Sequence, residues 1–211
     1  MTPRVKICGI TRAEDAECAV SAGADFLGFI RAPESKRFLS ACQVADIAAG
    51  LPDTVRTVAV FVNSDLEEIL ETLDAARIDI AQLHGEEPPE LAERIGPERV
   101  WRVVHLSVDA DIDSACRYPC AAVVADSATK GQRGGTGVVG DWGLAANLAL
   151  RTRTVLAGGL NPANVRAAVE TVRPWCVDVS SGVESAPGVK DPEKVRQFVH
   201  QARSAHPIPE Q

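Results

Sequence analysis

Arg4-Val5-Lys6-Ile7-Cys8-Gly9-Ile10-Thr11 reads as a short apolar strand that ends at a glycine and delivers one cysteine to its C-terminal end. An open doubly wound sheet normally carries a Gly-x-Gly-x-x-Gly turn after its first strand, and Cys8-Gly9-Ile10-Thr11 is no such turn. Downstream, short β-branched runs alternate with longer amphipathic segments, the pattern of repeated βα units around a parallel sheet. Strands are expected at Arg4–Cys8, Phe26–Ile30, Thr57–Val62, Ile80–Leu83, Val100–Val104, Ala121–Ala125, Thr154–Ala157 and Cys176–Val179. Helices are expected at Arg12–Ala22, Ser40–Ala49, Leu66–Ala76, Pro89–Ile95, Ala110–Arg117, Trp142–Leu150, Pro162–Val172 and Pro192–Ala205. Ser64-Asp65 stands before the third helix, and Asn161 stands before Pro162, as capping residues would. Eight strand–helix pairs leave roughly 26 residues per unit, compact but adequate for a closed barrel. The expected fold is therefore α/β, a single (β/α)8 TIM barrel over residues 1–205, with 206–211 a disordered tail.

Bulk composition fits that reading. The chain has 211 residues, 45% apolar and 24% charged, with a net charge of -7. A pI near 5.2 and the lack of a lysine or arginine run argue against nucleic acid as a partner. No stretch approaches the roughly 18 consecutive apolar residues of a membrane helix, and no leader precedes the first strand, so the expected location is the cytoplasm, with no membrane partner. The six cysteines lie scattered, with no Cys-x-x-Cys pair and no histidine at zinc-ligand spacing. Their spacing offers no zinc site.

In a barrel the reactive groups stand at the C-terminal ends of the strands. Reading those positions gives Cys8 after strand 1, Ser35-Lys36-Arg37-Phe38 after strand 2, His84-Gly85 after strand 4 and Asp126-Ser127 after strand 6. Gly158-Gly159-Leu160-Asn161 follows strand 7, and Ser180-Ser181-Gly182-Val183-Glu184 follows strand 8. Loops after strands 7 and 8 commonly bind phosphate in this fold, and glycines let backbone N–H groups approach an anion. Gly134-Gly135-Thr136-Gly137 is a third glycine cluster that could close over the same anion. Cys8 and Asp126 pair as candidate base and acid, a thiol with an adjustable pKa and a carboxyl group facing it across the barrel. Such a pair moves protons on two atoms of one substrate, as an isomerase must. The same two residues read equally as a buried strand-end thiol and a turn-capping aspartate. Arg37 could grip a carboxylate or simply lie in solvent, and His84 divides between substrate contact and structural hydrogen bonding.

Taken in order, Lys6-Ile7-Cys8-Gly9-Ile10-Thr11, Val60-Phe61-Val62-Asn63, Gln82-Leu83-His84-Gly85, Gly135-Thr136-Gly137, Ala157-Gly158-Gly159-Leu160, Asp178-Val179-Ser180-Ser181-Gly182-Val183-Glu184 and Gly188-Val189-Lys190-Asp191 resemble the phosphoribosylanthranilate isomerases of tryptophan biosynthesis. The resemblance runs from about Val5 to Phe198. It implies an Amadori rearrangement of N-(5-phosphoribosyl)anthranilate to 1-(2-carboxyphenylamino)-1-deoxyribulose 5-phosphate, without metal or organic cofactor. By motif it makes Asp126 the general acid at the ribose ring oxygen and Cys8 the general base at C2. It places the anthranilate carboxylate on Arg37, substrate contact at His84, and the phosphate at Gly135, Gly137, Gly158, Gly159, Ser181 and Gly182. The implied partner is a small phosphoribosyl substrate, and the implied assembly a monomer or homodimer.

Four positions depart from that family's pattern: Arg31 where an aromatic is usual nearby, Lys36 in place of proline, Gly140 in place of phenylalanine, and Arg102 in place of lysine. These would widen or recharge the anthranilate end of the pocket. The alternative reading is a same-fold isomerase acting on a histidine-pathway aminoaldose phosphate or a modified anthranilate, although a histidine-pathway enzyme usually pairs two aspartates where Cys8 and Asp126 stand. A phosphate-sugar binding protein without turnover is a further alternative, and it would be expected to lose Cys8 or Asp126.

Overall fold

The computed structural model describes residues 2–126 and 142–205. Eight parallel strands pair in chain order and close into a barrel. They are β1 (Arg4–Cys8), β2 (Phe26–Ile30), β3 (Arg56–Phe61), β4 (Ile80–Leu83), β5 (Val100–Val104), β6 (Ala122–Asp126), β7 (Thr154–Ala157) and β8 (Cys176–Val179). Closure sets Arg4 beside Cys176, Lys6 beside Asp178 and Ile7 beside Val179 in the β1–β8 register. The helices among the described residues are α1 (Ala13–Ala22), α2 (Ala41–Ala48), α3 (Leu66–Ala75), α4 (Pro89–Ile95), α5 (Asp109–Arg117), α6 (Trp142–Ala149), α7 (Val165–Val172) and α8 (Pro192–Ser204). None is long and apolar enough to cross a membrane.

Successive side chains on a strand point to opposite faces, and here that alternation sorts two cores. Val5, Ile7, Leu27, Phe29, Ala59, Phe61, Ala81, Leu83, Val123, Ala125, Leu156, Val177 and Val179 pack outward under the helices. Phe26, Val58, Ile80, Trp101, Val103, Ala122, Val124, Val155, Ala157 and Cys176 fill the lumen. Its aromatic floor is built by Phe26 against Trp101, ring centroids 4.9 Å apart, with Trp175 5.6 Å from Phe26 and 5.8 Å from Trp101. Lys6, Gln82 and Asp178 occupy lumen positions too, as buried polar groups bonded through the Lys6 ammonium.

Local chemistry explains the element boundaries. Asp65 accepts from the Glu68 amide at 2.9 Å, the cap expected for α3, and Ser40 with Gln43 forms a reciprocal capping box on α2. Most helices shift by one residue from expectation at one or both ends, and three elements shift in ways that bear on the site or its loops. β3 begins and ends one residue earlier, and β6 one residue later, so Asp126 is the last residue of β6 rather than the first after it. Helix α7 begins at Val165, because Asn161 and Asn164 organise the turn around Pro162 instead. Asn161 Oδ1 accepts from the Ala163 amide at 2.9 Å, and Asn164 Oδ1 accepts from the Asn161 amide at 2.8 Å. A short antiparallel hairpin, β9 (Glu184–Ala186) and β10 (Val189–Lys190), lies between β8 and α8 where only a loop was expected. The expected tail, 206–211, lies outside the described residues.

Because Phe26 is 1% exposed between two indoles, Phe26→Ala is expected to cost about 3–5 kcal/mol of stability. A urea-unfolding midpoint that barely moves would show that the lumen floor collapses to fill the gap.

Candidate active site

The inward alternation of β1 carries Arg4, Lys6 and Cys8 up the lumen, and Cys8 ends it, 6% exposed, at the barrel's C-terminal rim. Gly28 on β2 makes room for it, since a Cβ there would lie 2.7 Å from the Cys8 sulfur. Burial pushes the Cys8 thiol above its ordinary value; Lys6 and Lys190 pull it down, and Asp178 pushes it up. Beneath it the Lys6 ammonium, fully buried, donates to Asp178 Oδ2 at 2.8 Å and Gln82 Oε1 at 3.0 Å. Burial opposes that charge, but Asp178 and Cys8 outweigh it and hold the ammonium above the ordinary lysine value.

Arg37, in the loop after β2, lies against the backbone of Gly9, where an added Cβ would meet the Arg37 Cδ at 2.6 Å and the Ser180 hydroxyl at 2.8 Å. Its guanidinium is gripped by Glu184, Nε donating at 2.7 Å and Nη2 at 2.6 Å. Lys190, buried, donates to the same carboxylate at 2.9 Å and to the Ser180 carbonyl at 3.1 Å. Burial alone would raise the Glu184 carboxyl, and its hydrogen bonds from Arg37 and Lys190 more than reverse that. The hairpin carrying these residues is seated on the rim by Thr11, whose hydroxyl donates to the Gly188 carbonyl. Arg37 is thus a cation fixed beside Cys8, with an internal carboxylate on one edge of its fork.

On the other side of the lumen, Asp126 approaches the His84 ring, with Oδ2 3.6 Å from Nε2, and His105 lies 6.2 Å from His84 between ring centroids. A buried hub at Glu87 holds the loop that carries His84. The Glu87 carboxylate accepts from the Gly85 amide at 2.8 Å, the Asn63 amide at 2.8 Å and Arg102 at 2.7 Å. Arg102 also stacks over Tyr118, 5.0 Å from the ring centroid. Arg31 donates to the Leu39 carbonyl and to Glu68, and lies 5.3 Å from the Phe38 ring centroid. Both guanidiniums that depart from the family pattern are therefore engaged by structural partners.

The loops after β7 and β8 meet closely. Gly158 and Gly159 adopt φ of +85° and +66°, a region that favours glycine. A Cβ at Gly182 would lie 2.0 Å from the Leu160 carbonyl oxygen, so only glycine allows the two loops this approach. Ser181 and Gly182 open the short 3-10 turn that follows β8. Gly135 and Gly137, and with them Gly140, lie outside the described residues. Of the expected site residues, the structure brings Cys8, Arg37 and Ser181-Gly182 to one side of the rim and Asp126 with His84 to another. Sequence reading does not single out Lys6, Gln82, Asp178, Glu87, Glu184 or Lys190, although all but Glu87 lie within the quoted motifs. Among the described residues no cluster of His, Cys, Asp and Glu could hold a metal ion.

Comparison with known proteins bears on the family and the fold. Residues 5–201 match the family model described as N-(5'phosphoribosyl)anthranilate (PRA) isomerase. A Geobacter sulfurreducens protein named N-(5'-phosphoribosyl)anthranilate isomerase is 46% identical over 200 residues, covering 95% of this chain and 98% of that one. A solved phosphoribosyl anthranilate isomerase from Thermotoga maritima superimposes with a TM-score of 0.88 at 42% identity, over 95% and 98% of the two chains. A further solved isomerase, in complex with reduced 1-(o-carboxyphenylamino)-1-deoxyribulose 5-phosphate, gives a TM-score of 0.85 at 41% identity over 95% and 98%.

The Glu184 network makes stability acid-sensitive with a defined sign. A carboxyl whose folded pKa is lowered stabilises the fold above its unfolded value, about 4.3, and that contribution is lost as pH falls through the folded value. Glu184→Gln is expected to cost about 1.5–3 kcal/mol at neutral pH and to flatten the fall in unfolding midpoint between neutrality and strong acid. A variant with an unchanged acid limb would remove Glu184 from that account.

Proposed function

The chain belongs to the N-(5'-phosphoribosyl)anthranilate isomerase family, and from that premise we propose that it performs the Amadori rearrangement with Cys8 as base and Asp126 as acid. The observation that carries the assignment is the placement of a buried thiol and a carboxyl group at two ends of one lumen rim, Cys8 closing β1 and Asp126 closing β6.

Asp126 gives a proton to the ribose ring oxygen, and the C1–O bond breaks as the anilino nitrogen's electron pair forms the Schiff base. The Cys8 thiolate then takes the proton from C2. The C2–H pair becomes the C1=C2 double bond of the enolamine, and the iminium nitrogen regains its electrons. Tautomerisation returns a proton to C1 and leaves the ketone. Acid–base catalysis of this kind contributes about 10²–10⁴-fold per group. Arg37 holds the anthranilate carboxylate through the guanidinium edge that Glu184 leaves open, and Glu184 keeps the fork aimed at the lumen. Backbone around Gly158, Gly159, Ser181 and Gly182, joined by Gly135 and Gly137, receives the phosphate, and His84 contacts the substrate beside Asp126. The chain acts on this small molecule as a cytoplasmic monomer or homodimer, as a single barrel domain with no nucleic-acid partner and no metal or organic cofactor. Family membership and Cys8 speak against the histidine-pathway alternative.

The test is steady-state turnover of freshly generated phosphoribosylanthranilate, followed by loss of anthranilate fluorescence. Cys8→Ser and Asp126→Asn are each expected to lower kcat by about 10²–10⁴-fold with the melting temperature little changed; near-normal turnover in either removes that residue from its role. Arg37→Ala is expected to act mainly on KM, raising it about tenfold or more, and an unchanged KM would count against the carboxylate clamp.

A further inference from the structure

Lys6 is a cation that the mechanism above leaves unused, and it lies in the lumen directly below the base. It stands two residues before Cys8 on β1, on the same face of the strand. The two side chains share the gap left by Gly28, where an added Cβ would meet the Cys8 sulfur at 2.7 Å and the Lys6 Cε at 3.0 Å. Asp178 and Gln82 accept two of the three ammonium protons, at 2.8 and 3.0 Å. A fully buried lysine is costly to keep charged, and a buried ion pair can often be replaced by well-packed apolar residues without loss of stability. Net stability alone therefore gives no reason for a charge at this place.

We propose that Lys6 is the positioning residue for the catalytic base: its ammonium, locked by Asp178 and Gln82 beneath Cys8, compensates the negative charge of the thiolate while the C2 proton of the substrate is taken. The inference rests on the reading of Cys8 as base. Cys8 first releases its proton to solvent, and the Lys6 ammonium balances the sulfur's charge. When the C2–H bond breaks and the S–H bond forms, the charge on sulfur is discharged and Lys6 keeps all three of its protons throughout. Asp178 serves here by holding the ammonium in place, at the cost of opposing the thiolate with its own charge.

The other charged groups around Cys8 do not substitute for it. Lys190 from β10 and Arg37 from the loop after β2 both face the sulfur, but both are bound to Glu184. β2 itself offers only Gly28, and β8 contributes the opposing Asp178. Among these groups Lys6 acts most strongly to favour the ionised thiol.

The experiment compares the whole protein with Lys6→Met and with Lys6→Met/Asp178→Asn, which leaves no unpaired charge in the lumen should the single variant fail to fold. The Cys8 titration is read from ultraviolet thiolate absorbance, with the matching Cys8→Ser protein subtracted. In Lys6→Met the thiol pKa is expected to rise by about one unit or more, a tenfold or greater loss of thiolate at a given pH, and the double variant shifts in the same direction by less. At neutral pH kcat is expected to fall in parallel, to recover as pH is raised, and to leave KM little changed. A thiol titration and pH–rate profile that stay in place in a folded variant overturn the proposal, because a merely structural lysine would change stability without moving either. Appreciable turnover by Cys8→Ser would instead defeat the base assignment itself, so the two failures are distinct.

Discussion

The barrel closes on a buried ion pair. Where β1 meets β8, Lys6 stands beside Asp178 in the register and the two are bonded at 2.8 Å, with Gln82 of β4 joined to the same ammonium. Burying either charge alone costs several kcal/mol, and removing one partner of such a pair typically costs about 3–5 kcal/mol. The pair is therefore sensitive to register: a one-residue slip would turn either side chain out under the helices. Each member also lies two residues below a rim residue on its own chain segment: Cys8 above Lys6, Ser180 above Asp178 and His84 above Gln82. The closure of the fold and the aiming of the site are thus set by one arrangement.

Above that layer the rim is held by two further carboxylates, each satisfied by several donors. Glu184 gathers Arg37 and Lys190 on the Cys8 side, and Glu87 gathers Arg102, Asn63 and Gly85 on the His84 side. Together they let a chain of net charge -7 present fixed cations and backbone amides at its mouth, where a substrate bearing a carboxylate and a phosphate has to be received. Buried charged hydrogen bonds of this kind lose less freedom on binding than exposed arginines would, because the geometry is already set.

The fold was largely legible because a barrel strand buried on both faces writes itself as a short apolar run, and six of the eight strands have the bounds read from sequence. The start of α7 was not, since two asparagines three residues apart compete with Pro162 for the turn, and that depends on side-chain hydrogen bonds rather than on periodicity. In the candidate site the rim positions of Cys8, Asp126 and His84 follow from strand ends alone. The groups that hold them do not. Arg37 and Glu184 are 147 positions apart and Lys6 and Asp178 are 172 apart, so each reads as an isolated charge until closure brings its partner. Arg31 and Arg102 show the converse: as sequence they recharge a pocket, whereas in the structure they are spent on Leu39, Glu68 and Glu87.

With Cys8 as base and Asp126 as acid, the sulfur and the carboxyl must reach two different atoms of one substrate. A crystal structure of this chain soaked with reduced 1-(o-carboxyphenylamino)-1-deoxyribulose 5-phosphate, the compound held by a solved relative, tests it most directly. The expected result is the Cys8 sulfur in contact with C2, the Asp126 carboxyl within hydrogen-bond reach of the hydroxyl derived from the ring oxygen, and the compound's carboxylate on Arg37. A ligand seated with C2 away from Cys8, or with another side chain against it, would remove Cys8 from the role of base.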